Sequence, residues 1–341
     1  MKKILTVLFV LIVSGAAGAY WLWNDYNAFL NASLPVKEKA LFEVKKGSSF
    51  NRVVADLKES YGEVNNHYFK IYGRQSGLAN KIKAGEYELK AGLTPVEFLK
   101  VITSGVSKNY RFTIIEGSNF KEMIHAISEH KYLKDDVSHL SREELLKQLG
   151  VSEKHPEGLF LAETFSIEKN GSALAVLKRS NAMMQKILED EWQKRDSKLP
   201  YKSSYEALIM ASIVEKETAR ADERPIISGV FVRRLNKRMR LQTDPTVIYG
   251  MGDEYNGNIR RKDLRKPTPY NTYVIPALPP TPIAMVGKEA IEAALNPADG
   301  KALYFVAKGD GSHYFSATLK EHNNAVRRYQ LTRRKDYRSS P

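Results

Sequence analysis

Twenty consecutive uncharged residues, 4–23, constrain this chain most strongly, and they follow Lys2 and Lys3. A helix needs about 20 apolar residues to cross the hydrocarbon core of a bilayer. The run ends in aromatic residues typical of a membrane interface, Tyr20, Trp21 and Trp23. Because lysines stay in the cytoplasm, we expect residues 1–3 to be a cytoplasmic tip and the rest of the chain to lie outside that compartment.

A cleaved signal peptide is the alternative, because Ala17-Gly18-Ala19 resembles a signal-peptidase site. We favour a retained anchor, since the apolar run continues through that site to the aromatic residues. Export follows in either case, so nucleic acid is excluded as a partner. The net charge of +14 then indicates an anionic lipid or an anionic wall polymer as partner.

The amino-acid composition limits the number of domains and the kinds of functional site that the chain can have. A chain of 341 residues with 43% hydrophobic content can hold two or three modest domains. It has no cysteine, which excludes a thiol nucleophile and a disulfide framework. Its seven histidines lack metal-ligand spacing, so we predict neither a metal site nor a cofactor.

Local patterns predict an α+β protein. Residues 24–40 are interpreted as a polar tether, and residues 41–108 show the order strand, helix, helix, strand. That order resembles a LysM-like module, although a spacer without ligand is the alternative. The segment Phe112–Phe120 repeats the pattern of Phe42–Phe50, which predicts a second strand-turn-helix unit. We therefore assign a connector to 109–150, a mixed α/β domain to 151–330 and a basic tail to 331–341.

The stretch Ser204–Arg220 is predicted to form one buried helix, because helix formers dominate it and neither Gly nor Pro interrupts it. Its C-terminal end carries Glu215 and Glu217, where a basic residue would suit the helix dipole better. Glu217 continues an apolar stripe, and a poorly solvated carboxyl suits a general acid. A solvated helix end with ion pairs to Lys216 and Arg220 is the alternative.

Segments rich in Tyr, Asn, Thr and Pro follow this helix, and we interpret them as ordered loops: 239–250, 255–257, 267–273 and 278–283. Tyrosine rings suit stacking on pyranose faces, and short polar side chains suit sugar hydroxyls. A Pro-rich connector with half-buried tyrosines is the alternative. The candidate substrate-binding residues are Glu215, Thr243, Asp244, Tyr249, Tyr270, Asn271 and Tyr273.

Three motifs carry a family resemblance: Ala211–Thr218, Arg240–Gly250 and Tyr270–Tyr273 with Leu278-Pro279-Pro280. They resemble the endolytic murein transglycosylases, the YceG-like family. The resemblance implies a bacterial inner-membrane enzyme that cuts nascent peptidoglycan glycan strands without hydrolysis. It also implies 1,6-anhydro-muramoyl ends, termination of strand elongation, a periplasmic YceG-like catalytic domain and peptidoglycan synthases (penicillin-binding proteins) as possible partners.

In that family the catalytic acid is the second Glu of Glu-Lys-Glu, which corresponds to Glu217. The family usually has Pro-Asp where this chain has Ala162-Glu163. Two other functions stay open. A hydrolytic muramidase would need a second acid, for which Glu163 and Asp244 are candidates. A non-catalytic scaffold would bind peptidoglycan without cleaving it.

Overall fold

The structure is a computed structural model that describes residues 2–331, and it is a mixture of helices with four two-stranded sheets. This confirms the α+β class. The helices are α1 Lys2–Asn31, α2 Phe50–Tyr61, α3 Asn66–Gln75, α4 Pro95–Ser104, α5 Phe120–Ser128, α6 Arg142–Leu149, α7 Ala173–Lys194, α8 Ser204–Glu217, α9 Arg224–Asn236, α10 Asp244–Met251, α11 Lys288–Leu295 and α12 Leu319–Val326. The strands are β1 Ala40–Val44, β2 Gly85–Leu89, β3 Tyr110–Thr113, β4 Leu133–Lys134, β5 Thr164–Ile167, β6 Gly171–Ser172, β7 Tyr304–Ala307 and β8 His313–Ser316.

The chain divides into two units, of which the first runs to Tyr110 and includes Ser166–Asn170. In this unit β1 pairs with β2 in antiparallel register, with Phe42 opposite Tyr87. The helices α2 and α3 lie between these strands in sequence, so the predicted order of elements is present. A capping box at Thr94 begins α4, as the sequence predicts. The LysM-like assignment stays a prediction.

The first unit also includes the end of the N-terminal helix. Residues 24–31, predicted as part of a tether, continue α1 as helix. The helix is maintained there because its side chains pack on α3. The Tyr68 hydroxyl donates to Asp25 Oδ2 at 2.6 Å, and the Tyr26 hydroxyl donates to Gln75 Oε1 at 3.0 Å. The segment after the helix is also anchored, since Leu34 and Val36 are buried.

The second unit comprises Arg111–Phe165 and the chain from Gly171 onward. The segment 111–150, predicted to lie in a separate connector, therefore belongs to the same unit as the residues that follow it. Within this unit α8 packs against α7, α9, α10 and α11. Nine of its fourteen residues are buried, which explains the apolar composition of Ser204–Glu217. The helix ends three residues earlier than predicted, because Thr218 has extended backbone angles.

One predicted loop in the second unit is a helix. Asp244–Met251 forms α10, with Pro245 in the first turn, where its missing N–H breaks no helical hydrogen bond. Thr246 and Val247 on this helix are buried. Their burial depends on neighbouring segments, so the local sequence did not indicate it.

The turn residues Gly309-Asp310-Gly311 between two apolar runs predict a C-terminal hairpin, and the structure contains it. The strands β7 and β8 pair in antiparallel register, and Gly309 and Gly311 between them have positive φ angles of 88° and 82°. The final helix α12 is followed by a π-helical turn, Arg327–Leu331. Most of the predicted basic tail, residues 332–341, lies outside the described residues.

Candidate active site

A cleft of about 1620 Å³ lies in the second unit, and its wall includes the end of α8 and the start of α10. The candidate residues that line it are Glu217, Thr243, Asp244, Tyr249, Tyr270 and Tyr273. The structure thus brings together the predicted catalytic acid and five of the seven predicted substrate-binding residues.

Glu217 is half-buried at the last position of α8, and its Oε1 accepts a hydrogen bond from the Thr243 hydroxyl. Burial raises the pKa of the Glu217 carboxyl to about 7, although the Thr243 hydrogen bond opposes this. The negative charge of Asp244 raises the pKa further. A carboxyl that holds its proton near neutral pH can act as a general acid.

The alternative of an ion-paired helix end is not observed. Arg220 pairs with Asp222 at 2.7 Å and lies 3.8 Å from Glu223. Lys216 Nζ donates to the carbonyl oxygen of Gly117 at 2.9 Å. Within the described chain, residues 2–331, Glu217 has no salt bridge, so no cation neutralises its charge directly.

Thr243 is held in place by two buried threonines. Its backbone N–H donates to Thr272 Oγ1 at 3.1 Å, and its carbonyl accepts from Thr246 Oγ1 at 2.8 Å. The hydroxyls of Thr246 and Thr272 are themselves 2.8 Å apart. This cluster fixes the Thr243 hydroxyl toward Glu217.

Two tyrosine rings form one side of the cleft. The centroids of Tyr249 and Tyr270 are 4.9 Å apart with an interplanar angle of 58°. The Tyr270 hydroxyl lies 2.8 Å from Thr281 Oγ1, and the Tyr249 hydroxyl donates to Glu157 Oε2 at 2.9 Å. Because both hydroxyls are anchored, the rings have little freedom to turn, which suits stacking on a sugar face.

A third tyrosine holds Asp244. The Tyr273 hydroxyl donates to Asp244 Oδ1 at 2.6 Å. Burial, and after it this hydrogen bond, raises the pKa of Tyr273, so the phenol stays a donor at neutral pH. The pair keeps a carboxylate near Glu217 in a defined orientation.

Glu157 is a cleft residue to which the sequence analysis assigned no role. It is only 2% exposed, and its Oε1 accepts the backbone N–H of Phe120 at 2.9 Å. Burial raises the pKa of this carboxyl to about 7, with the Phe120 and Tyr249 hydrogen bonds opposing the rise. The available signal was its place two residues before the apolar run Leu159–Ala162.

Two predicted substrate-binding residues, Glu215 and Asn271, do not line the cleft, and we correct their assignment. Glu215 is buried, where Oε1 lies 3.0 Å from Arg224 Nη2 and Oε2 accepts the Gly287 N–H at 3.0 Å. Asn271 is 1% exposed, and its amide bonds to backbone, namely the carbonyls of Asp263 and Lys266 and the N–H of Tyr273. Both side chains hold segments together.

Two further acids, Glu163 and Glu223, lie outside the lining of the cleft. Glu163 is exposed outside the cleft, and its Oε1 accepts the N–H of Thr164. Glu223 binds His313, a cleft residue, with its Oε2 2.7 Å from His313 Nδ1. Among residues 2–331, no three His, Asp or Glu side chains are grouped so that they could hold a metal ion.

The chain is similar to known proteins over most of its length. The model of the YceG-like family matches residues 42–328. An endolytic murein transglycosylase of Bacillus subtilis is 33% identical over 308 residues, which cover 84% of this chain and 83% of that protein. One from Streptococcus pneumoniae is 25% identical, and the match covers 96% of this chain but 65% of that longer protein.

A solved structure is similar as well. The crystal structure of a yceG-like protein from Listeria monocytogenes superposes with a TM-score of 0.53 and 30% sequence identity. The match covers 84% of this chain and 98% of that chain. Because the family model covers most of the chain, including every residue that lines the cleft up to Val326, the chain belongs to the YceG-like family.

Proposed function

We propose that this protein is a lytic transglycosylase that cleaves peptidoglycan glycan strands, with Glu217 as the catalytic acid and base. The observation that carries the proposal is the environment of Glu217, a carboxyl kept protonated near neutral pH by burial and facing a long cleft. The relatives named endolytic murein transglycosylases support the substrate class.

The first step is protonation of the glycosidic oxygen between N-acetylmuramic acid and N-acetylglucosamine by Glu217. The bond from the muramoyl C1 to that oxygen breaks, and positive charge develops at C1 and the ring oxygen. The Asp244 carboxylate, oriented by Tyr273, supplies negative charge on the cleft wall. The Thr243 hydroxyl stabilises the Glu217 carboxylate that the first step produces.

In the second step the muramoyl C6 hydroxyl attacks C1 and gives its proton to the Glu217 carboxylate. The products are a 1,6-anhydro-muramoyl end and a free hydroxyl on the departing sugar, and Glu217 regains its starting state. The nucleophile belongs to the substrate, so its effective concentration is high and no activated water is needed. One carboxyl group is therefore sufficient for both steps.

The tilted rings of Tyr249 and Tyr270 are the proposed contacts for sugar faces. An N-terminal helix of 30 residues, apolar enough to cross a membrane, supports a single-pass anchor in the inner membrane. With the lysines in the cytoplasm, the second unit would act on strands outside it. Cleavage of nascent strands there would end their elongation, and peptidoglycan synthases would be the partners.

The test is Glu217→Gln, which keeps the shape of the side chain and removes the acid. We expect about 10²- to 10⁴-fold slower release of anhydro-ended glycans from purified strands, followed by mass spectrometry. Glu163→Gln is the matched control and should retain the parental rate, because Glu163 lies outside the cleft. A near-parental rate for Glu217→Gln would overturn the assignment, and products one water heavier would indicate a hydrolytic muramidase. Binding without cleavage by the wild type would indicate a scaffold.

A further inference from the structure

Gln242 has an unusual backbone conformation beside the proposed catalytic acid. Its φ angle is 55°, and among residues 2–331 only Asn170 and Arg238 are other non-glycine residues with positive φ. The left-handed region brings the Cβ of an ordinary side chain close to its own backbone, and glutamine lacks the short side chain that eases this for asparagine. Strain of this kind clusters at functional sites, so the position needs a further explanation.

This strained residue directly precedes Thr243, whose hydroxyl donates to Glu217. The backbone N–H of Gln242 donates to the Thr272 carbonyl at 3.2 Å. The next backbone N–H, that of Thr243, donates to the Thr272 hydroxyl at 3.1 Å. Gln242 itself is exposed and lines the cleft. Its side chain therefore has access to whatever Glu217 acts on.

The amide of Gln242 is oriented by Arg234. Arg234 Nη2 lies 2.5 Å from Gln242 Oε1, and Arg234 is only 6% exposed. The remainder of the guanidinium is fixed by backbone carbonyls, with Nε donating to Arg240 at 3.0 Å and Nη1 to Leu303 at 3.2 Å. A guanidinium can only donate, so the atom that faces it must be the amide oxygen.

The amide NH₂ of Gln242 consequently points away from Arg234. In the part of the chain that the structure describes, residues 2–331, no hydrogen bond from Gln242 Nε2 is found, whereas the oxygen is bound. The side chain thus presents its NH₂ donor to the cleft, while its oxygen faces Arg234. A donor selects ligand groups that accept, such as a carbonyl oxygen.

We propose that Gln242 is a substrate-binding residue whose NH₂ donates to the carbonyl oxygen of a 2-acetamido group on a sugar bound beside Glu217. The inference rests on the proposed function. Glycan hydroxyls can donate as well as accept, whereas the acetamido carbonyl only accepts, so it matches a fixed donor best. Arg234 is then a positioning residue, because it acts on the substrate through Gln242.

The glycine variant Gln242→Gly separates this role from the fold. Glycine adopts positive φ readily, and the strain relieved offsets the loss of the bond from Arg234, so the variant should melt near the wild-type temperature. It lacks the amide, and we expect kcat/KM on soluble glycan strands to fall about tenfold, mainly through KM, as for the loss of one good hydrogen bond. Arg238→Gly, with φ of 56° in the wild type and outside the cleft, is the matched control and should keep the wild-type kcat/KM.

The ligand is tested with strands whose sugars have been de-N-acetylated. Wild type should cleave these strands about tenfold less efficiently, while Gln242→Gly should lose nothing more, because the contact is already absent. A wild-type kcat/KM for Gln242→Gly on acetylated strands would overturn the inference. If de-N-acetylation lowered kcat/KM about tenfold in Gln242→Gly as well as in wild type, the acetamido contact would be wrong. Neither result touches the proposed function, which depends on Glu217→Gln.

Discussion

Glu157, which is buried, and Glu217, which is half-buried, are two carboxyl groups on one cleft, and desolvation raises the pKa of each to about 7. Their hydrogen bonds distinguish them. Both oxygens of Glu157 accept bonds from the protein, from Phe120 and Tyr249. Glu217 accepts one such bond, from Thr243, among residues 2–331. Glu217 therefore has an oxygen available for a substrate proton, whereas Glu157 is occupied in holding Tyr249.

The raised pKa of Glu217 predicts how stability depends on pH. The unfolded carboxyl ionises near 4.5, so between about pH 4.5 and 7 the folded state holds more protons. Over that range the free energy of unfolding falls by up to about 1.4 kcal/mol per pH unit on account of this group. Glu217→Gln removes the effect, so the variant should be more stable than wild type at pH 8 and equal to it near pH 4.

Denaturant unfolding of wild type and Glu217→Gln across this pH range measures the difference in stability. The contribution of Glu157 is present in both proteins and cancels from that difference. A variant less stable than wild type at pH 8 would contradict the prediction. Activity should follow the same group, because only protonated Glu217 can begin the reaction. The rate should therefore decline as the pH rises through about 7.

The burial of a residue could be predicted from the sequence more readily than the partners of its side chain. The poor solvation of Glu217 could be predicted because it continues an apolar stripe of its own helix, a local feature, whereas its catalytic role was inferred from the family resemblance. Glu215 could not be distinguished from it, since its buried partner, Arg224, lies on the next helix. The contacts of Asn271 with the backbone carbonyls of Asp263 and Lys266, and of Gln242 with Arg234, are likewise visible only in the structure. Sequence patterns show burial and spacing, but they do not show which tertiary partner occupies a polar atom.

At the scale of elements, α8 carries its two acids to different places. Residues two apart on a helix differ by about 200° in direction. Glu217 consequently faces the cleft, while Glu215 faces Arg224 of α9 and the N–H of Gly287, just before α11. One helix end thus supplies a proposed catalytic group and a cross-link to its two neighbours.

Breaking this cross-link should destabilise the second unit strongly. Arg224→Met removes the cation and leaves Glu215 buried without its charged partner, for which we expect a loss of about 3–5 kcal/mol in the free energy of unfolding. The double variant Glu215→Gln with Arg224→Met should recover part of that loss, because no buried charge remains. Denaturant unfolding measures both, and wild-type stability of Arg224→Met would show that the ion pair contributes little.

Elements with strong local signals were predicted well. The helix α8, the capping box of α4 and the β7–β8 hairpin each follow from residues within the element. The helix α10 was missed because its polar residues, Thr246 among them, are buried by bonds to the distant Thr272. Tertiary contacts overrode a composition typical of loops.

For the whole molecule, the N-terminal helix is long and apolar enough to cross a membrane. Its 30 residues span about 45 Å, whereas a hydrocarbon core is about 30 Å thick. The remaining turns are accounted for by Asp25 and Tyr26, which bind α3 of the first unit. The first part of the predicted tether, residues 24–31, is therefore a continuous extension of the apolar helix.

This continuity predicts that the helix is retained as an anchor and that no signal peptide is removed. Wild-type protein expressed in a bacterium should stay in the membrane fraction after alkaline extraction, with an intact mass that includes residues 1–19. A variant that lacks residues 2–23 and is secreted with a foreign signal peptide should appear in the soluble fraction. Within residues 2–331, no other described segment is long and apolar enough to span a bilayer. A mature protein that begins at Tyr20 and is extracted at alkaline pH would instead establish cleavage after Ala19.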